Sequence, residues 1–138
     1  MAHAFPNMSA EASNHLSRFI DAFVEKRKRD RWRTVMALAP EKWHGASAYE
    51  CVVKPLGRMN TTEEHNILSA GLEVFLDRPA FMFTIGAAAG WGYKESTLRK
   101  AILGEDWRCE SIVSVVPGQL AVCYGHSGEV RVCRRDAG

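Results

Sequence analysis

The sequence predicts an α+β fold in which N-terminal helices pack on one face of a mostly antiparallel sheet that ends in a three-stranded meander. Apolar residues recur with helical spacing in the N-terminal part of the chain, whereas short β-branched segments follow one another closely in the C-terminal part. Helices early and antiparallel strands late are typical of the α+β class. The 138 residues contain no Gly-, Ser- or Pro-rich linker. We therefore expect a single domain over residues 1–138, with residues 1–8 as a flexible N-terminal segment.

The first helix is predicted to begin after Ser9 or Ser13, because either side chain can cap it. The apolar positions that follow have the spacing of an amphipathic helix: Leu16, Phe19, Ile20, Phe23 and Val24. A basic segment comes next, after which apolar residues resume the spacing at Trp32, and Pro40 ends the helix. The sequence is compatible with one long helix or with two helices separated near Asp30.

The middle of the chain alternates between strand and helix signals. The stretch "AYECVVK" (residues 48–54) predicts a strand, and "TTEEHNILSAGLEVFL" (residues 61–76) predicts a helix that opens with a Thr-x-x-Glu capping box. The stretch "AFMFTI" (residues 80–85) predicts a second strand. A glycine-containing loop follows, and then a short helix that begins at Ser96 or Thr97.

Three short strands joined by tight turns are predicted at the C-terminal end: "ESIVSVV", "QLAVCYG" and "EVRVCRR". A three-residue loop, His126 to Gly128, pairs Tyr124 with Val130. This register gathers Leu120, Val122, Tyr124, Val130 and Val132 on one face and Cys123, Arg131 and Cys133 on the other. A two-residue turn would mix the two faces, and we therefore expect the longer loop.

Both ends of the chain resemble an uncharacterised family of small bacterial proteins. The similarity lies in "FVEKRKRDRW" near the start, in "SIVSVVPGQLAVCYGHSGEVRVCRR" at the end, and in a strand–loop–helix unit that corresponds to "FMFTIG…STLRKAIL". Its most specific part is the hairpin from Val116 to Ala121, and family members often carry an acidic residue where this chain has His126. The family has no assigned activity, so the resemblance implies an architecture and no chemistry.

The stretch "FMFTIGAAAGWGYKEST" (residues 81–97) has the strand, glycine loop and helix order of many phosphate-binding sites. The residues that would bind such a ligand are Gly86, Gly90, Gly92 and Lys94. Their spacing matches neither the P-loop, because Tyr93 separates the last glycine from the lysine, nor the G-x-G-x-x-G motif. We favour a loop that exposes Trp91 and Tyr93 to a protein partner, since these residue types are enriched at interfaces.

The formal net charge of +2 is unevenly distributed. The basic segment "KRKRDRWR" (Lys26 to Arg33) carries six of the 18 basic residues, and the rest of the chain is slightly acidic. On one continuous helix, Lys26, Arg29 and Arg33 would align as a ridge beside Trp32. Such a ridge can contact phosphates or an acidic protein, or it can be a solvated face whose long side chains cover the edge of the core.

No cofactor, metal or catalytic set is predicted. The only compact Cys/His group is Cys123, His126 and Cys133, and the sequence has no second close pair for a structural zinc site. No nucleophile or paired-carboxylate motif accompanies the candidate reactive groups, which are Cys109, Cys123, His65, His126 and Glu64. No apolar run approaches the ~20 residues of a membrane span. The start of the chain lacks a secretory signal, so we expect a cytoplasmic protein without membrane contact.

These observations favour a non-enzymatic protein-binding module, for example an accessory or toxin-neutralising (immunity-like) bacterial protein. Its predicted partner-binding residues are Trp91, Tyr93, Arg29 and Arg33. Two alternatives stay open. One is nucleic-acid binding through Lys26 to Arg33, and the other is a small enzyme or sensor that binds a phosphorylated ligand at the loop from Gly86 to Lys94.

Overall fold

The fold is a five-stranded antiparallel sheet preceded by two helices, which confirms the predicted α+β class. The computed structural model describes residues 5, 8–45, 71–85, 92–103, 110–124 and 130–135. The strands are β1 (Pro79–Thr84), β2 (Tyr93–Thr97), β3 (Ser111–Val116), β4 (Leu120–Tyr124) and β5 (Val130–Arg134), in the order β2-β1-β3-β4-β5. The helices are α1 (Ala10–Phe23), α2 (Arg29–Met36) and α3 (Leu98–Leu103), with 3-10 turns at Lys26–Lys28, Pro40–Gly45 and Glu73–Phe75.

The N-terminal helical region forms two helices, and the break lies earlier than Asp30. Ser9 caps α1, because its hydroxyl accepts the N–H of Ala12 at 3.1 Å. Val24 then leaves the helix with an extended backbone (φ −81°, ψ 140°). The Nε of Arg29 donates to the carbonyl of Val24 at 2.9 Å, which satisfies one of the acceptors that a helix end leaves open.

Both faces of the sheet are covered, whereas the sequence predicted helices on one face. Alternate residues of one strand enter opposite cores, since strand side chains alternate in direction. Buried residues that pack with α1 and α2 include Phe81, Phe83, Ile112, Cys123 and Cys133. Buried residues of the opposite core include Leu72, Leu76, Met82, Leu98, Val113 and Val122. The continuous apolar runs of β1 and β3 therefore reflect strands that are buried on both sides.

The C-terminal meander has the predicted register. Tyr124 pairs with Val130 and Val122 with Val132, while the loop predicted between these strands lies outside the described residues. The β3–β4 connection is a tight turn in which the N–H of Gln119 donates to the carbonyl of Val116 at 2.9 Å. Pro117 and Gly118 occupy its central positions, and the φ of +71° at Gly118 is that of a type II turn.

The strand–loop–helix interpretation of residues 81–97 is wrong. Tyr93–Thr97 forms β2, which pairs antiparallel with β1 from Phe83 opposite Tyr93 to Pro79 opposite Thr97. The glycine loop therefore connects two strands of a hairpin, and α3 begins only after β2. Of the two predicted starts, Ser96 and Thr97, the second is the cap of α3, since its hydroxyl accepts the N–H of Lys100 at 3.1 Å.

The remaining predictions concern residues 48–76 and the N-terminal segment. The predicted strand at 48–54 and most of the predicted helix at 61–76 lie outside the described residues, and the described end of that helix is the 3-10 turn Glu73–Phe75. Phe5 and Met8, from the segment expected to be flexible, are buried in the core beside α1. The N–H of Phe5 donates to the hydroxyl of Ser13 at 3.0 Å, so these residues are held against the first helix.

Candidate functional site

The described residues of the glycine loop have structural roles. Gly92 has a φ of +85°, a conformation that other residues rarely adopt, and a Cβ placed on it would lie 2.8 Å from the Cγ of Pro40. Gly92 lies close against Pro40 of the Pro40–Gly45 turn, and this contact accounts for a glycine at position 92. Lys94 is exposed on β2. Gly86, Gly90 and Trp91 lie outside the described residues.

Tyr93 was predicted to be exposed on a loop, and this prediction is wrong. It is half-buried at the start of β2, with its ring 6.4 Å from that of Phe81 and 6.2 Å from that of Phe83. Its hydroxyl accepts the N–H of Ser9, the residue that caps α1, at 3.0 Å. Tyr93 therefore connects β2 to the start of the first helix.

The basic segment is attached to the fold at several points. Lys26, Arg29 and Arg33 were predicted to form one ridge on a continuous helix. The structure does not have this ridge, because Lys26 belongs to a 3-10 turn and α2 begins only at Arg29. Trp32 is fully buried, and truncating a buried aromatic residue of this size costs about 3–5 kcal/mol. Arg27 is bound by the carboxylate of Glu25, with 2.7 Å between Nη2 and Oε1.

Arg33 connects the basic segment to the exposed face of α1. Its guanidinium forms an ion pair with Asp21 and donates to the hydroxyl of Ser17 at 3.4 Å. Both partners are exposed or half-buried residues of α1. Arg33 thus reaches the rim of a groove that the sequence did not indicate.

This groove, which we call the polar groove, lies between the exposed face of α1 and the β3–β4 turn and has a volume of about 610 Å³. Its lining residues are Asn14, Ser17, Arg18, Asp21, Ala22, Pro117, Gly118, Gln119 and Arg135. The α1 residues recur with helical spacing opposite the buried stripe, so they form one wall. The turn and the end of β5 form the other wall, where the N–H of Arg135 donates to the carbonyl of Gln119 at 2.8 Å.

The walls of the polar groove approach each other closely at the turn. A Cβ placed on Gly118 would lie 3.3 Å from the Cβ of Arg18 and 3.6 Å from its carbonyl oxygen. The turn therefore rests against the backbone of α1. The sequence contains two signals for this site, the polar stripe of α1 and the Pro-Gly turn, but the order of residues does not show that they meet.

The polar groove carries an excess of positive charge. Arg18 and Arg135 supply two guanidinium groups, and the carboxylate of Asp21 is neutralised by Arg33 from outside the lining. Asn14, Ser17 and Gln119 add neutral groups that can donate or accept hydrogen bonds. Chemically, the groove suits an acceptor-rich or anionic group rather than an apolar one.

A second polar feature is buried between α1 and the sheet. His15 and Ser114 are hydrogen-bonded, with 2.8 Å between Nδ1 and Oγ, and both are buried. Burial lowers the pKa of His15 below its ordinary value of 6.5, while the negative charge of Glu11 and hydrogen bonding to Ser114 act more weakly in the opposite direction. The pair has the elements of a nucleophile and base, but it lies within the core and offers no room for a substrate.

The cysteines of β4 and β5 lie diagonally on one face, as predicted. The Sγ atoms of Cys123 and Cys133 are 3.8 Å apart, and both side chains are buried. His126, the third member of the predicted group, lies outside the described residues, as do Cys109, His65 and Glu64. Within the part of the chain that the structure describes, no three His, Cys, Asp or Glu residues are arranged to hold a metal ion.

Among the described residues, no helix has the length and apolar character needed to cross a membrane.

Similarity to known proteins does not identify the chain. Comparison with protein-family models, with characterised proteins and with solved structures found no match. The polar groove, with Arg33 at its rim, is therefore the candidate site that the geometry itself supports.

Proposed function

We propose that the chain is a non-enzymatic protein-binding module that recognises its partner through the polar groove and the adjoining Arg33. The observation that carries this proposal is an arginine-containing groove of about 610 Å³ between two ordered elements, α1 and the β3–β4 turn. A volume of this size is in the range of about 300–1,000 Å³ that is typical of ligand sites. An accessory or toxin-neutralising role in the bacterial cytoplasm belongs to the same proposal.

The contacts of the basic segment favour a protein partner over a nucleic acid. A nucleic-acid site gains affinity when free lysines and arginines neutralise phosphates and release counterions. Here Arg27 and Arg33 already have carboxylate partners, and Arg29 donates to a backbone carbonyl. These guanidinium groups would have to leave existing contacts to bind phosphates. A segment whose arginines are already in contact with other groups therefore gains less from the counterion release that drives binding to a nucleic acid.

Capture from a lysate of the source cell tests the proposal. We would compare the tagged wild-type chain with Arg18→Glu, with and without nuclease. The matched control is Lys100→Glu, the same charge reversal at an exposed residue of α3. This helix packs on the opposite face of the sheet. We expect a stoichiometric protein that survives nuclease and is lost with Arg18→Glu but kept with Lys100→Glu. Loss of all bound material with nuclease would instead support the nucleic-acid alternative.

A further inference from the structure

The two arginines of the polar groove have no carboxylate partner in the part of the chain that the structure describes. Arg27, Arg33 and Arg99 are each ion-paired with an acidic side chain. Arg18 and Arg135, which line the groove, have no such pair among the described residues. Two guanidinium groups without a carboxylate partner among the described residues thus line one concave surface, and this is the arrangement of a site that binds an anion from outside.

The chemistry of guanidinium groups indicates which anion fits. A guanidinium presents several N–H donors in one plane and matches the two oxygens of a carboxylate. Arg18 lines the groove from α1, and Arg135, the residue that follows β5, lines it from the opposite wall. Two such groups on opposite walls can contact one carboxylate or two neighbouring ones. We infer that the polar groove binds an acidic peptide segment of the partner, with its carboxylates at Arg18 and Arg135, and this inference rests on the proposed function.

The other lining residues favour a peptide over a phosphate chain. Asn14, Ser17 and Gln119 offer neutral donors and acceptors, which suit the backbone N–H and C=O groups of a peptide between its acidic side chains. A peptide, which combines acidic side chains with neutral backbone donors and acceptors, therefore matches the groove better than a phosphate chain.

The test is a titration of the full chain, labelled with ¹⁵N, with hexaglutamate at low ionic strength, followed by amide NMR shifts. We expect shifts centred on the amides of residues 14–22, 118, 119 and 135. Arg18→Gln and Arg135→Gln should each weaken binding about threefold to fivefold, as expected for the loss of one exposed charge pair. Asp21→Asn should strengthen binding, because it removes a negative charge from the groove. Lys100→Gln, on the opposite face, should leave binding unchanged, and thermal unfolding checks that every variant is folded.

Three outcomes would overturn the inference. The first is no shift in the groove at millimolar hexaglutamate, and the second is weaker rather than stronger binding by Asp21→Asn. The third is tighter binding of inorganic phosphate or of a single-stranded oligonucleotide at the same residues. If a captured protein partner depends on Arg18 while hexaglutamate does not bind, the proposed function stands and only the peptide chemistry is wrong. If hexaglutamate binds in the groove but the partner ignores Arg18→Glu, the proposed use of the groove is wrong.

Discussion

The imidazole of His15 in α1 is hydrogen-bonded to the hydroxyl of Ser114 in β3, with 2.8 Å between Nδ1 and Oγ. The ring also lies 4.9 Å from that of Phe81, centroid to centroid, so it is enclosed between α1 and the sheet. Ser114 is buried next to the register shift that precedes the β3–β4 turn. The pair therefore connects the helix wall of the polar groove to the strand that leads into the opposite wall.

We expect the stability of the fold to decrease as the pH falls below 6.5. Burial holds the pKa of His15 in the folded chain below that value. The unfolded chain therefore binds the proton first, and protonation favours unfolding. The contribution of this histidine is fully present above pH 6.5 and is lost as the pH falls through the folded-state pKa, with a slope of at most about 1.4 kcal/mol per pH unit. Urea unfolding over a pH series measures it.

His15→Gln is the control for this prediction, because glutamine can still hydrogen-bond to Ser114 but does not titrate. The variant should show a flatter pH dependence than the wild type between about pH 5 and pH 7. An unchanged slope in the variant would assign the pH dependence to other groups. The variant can also lose stability equally at all pH values, because glutamine packs less well than histidine in the core. Such a constant loss does not affect the test, which depends on how steeply the free energy of unfolding changes with pH in each protein.

Tyr93→Phe should destabilise the fold by about 0.5–1.5 kcal/mol, since it removes the hydroxyl that accepts the N–H of Ser9 and leaves the ring in place. Binding of the partner in the capture experiment should not change. If Tyr93→Phe were as stable as the wild type, the hydroxyl of Tyr93 would not hold the start of α1. Loss of the partner with full stability would restore Tyr93 as a partner-binding residue.

Gly118→Ala and Gly92→Ala should both destabilise the protein, and Gly92→Ala should do so more. A left-handed backbone costs a non-glycine residue about 1–2 kcal/mol. The added Cβ would also meet Arg18 at 3.3 Å in one variant and Pro40 at 2.8 Å in the other. The shift of the urea midpoint at constant m-value measures each cost. A larger loss of stability for Gly118→Ala would contradict this order. It would show that the 3-10 turn at Pro40 moves away from the added Cβ more easily than α1 does.

Cys123 and Cys133 should resist alkylation in the native protein, because both thiols are buried between the helices and the sheet. Iodoacetamide labelling, read peptide by peptide in a mass spectrometer, should be slow in buffer. It should accelerate as urea populates the unfolded chain. Labelling at equal rates with and without urea would show that β4 and β5 open far more often than this core implies.

The polar groove and the basic segment illustrate the limit of local patterns. The polar stripe of α1 and the Pro-Gly turn are visible in the sequence, but about 100 residues separate Arg18 from Gly118. Their contact depends on how α1 lies across the sheet. The sequence predicted Arg33 as a partner-binding residue but could not show its ion pair with Asp21 at the rim of the groove.

The sequence by itself determined features that depend on neighbouring residues. It narrowed the cap of α1 to Ser9 or Ser13 and the start of α3 to Ser96 or Thr97, and it determined the register of the last two strands. Caps, turns and the two-residue alternation of strands are short-range effects, so they can be derived from the order of residues. Only the tertiary structure decided that the polar stretch Tyr93–Thr97 is a strand, because its pairing energy comes from β1. It also decided that the first helix ends at Val24, where Arg29 binds the free carbonyl. The groove belongs to this second class, since it exists only where distant elements pack together.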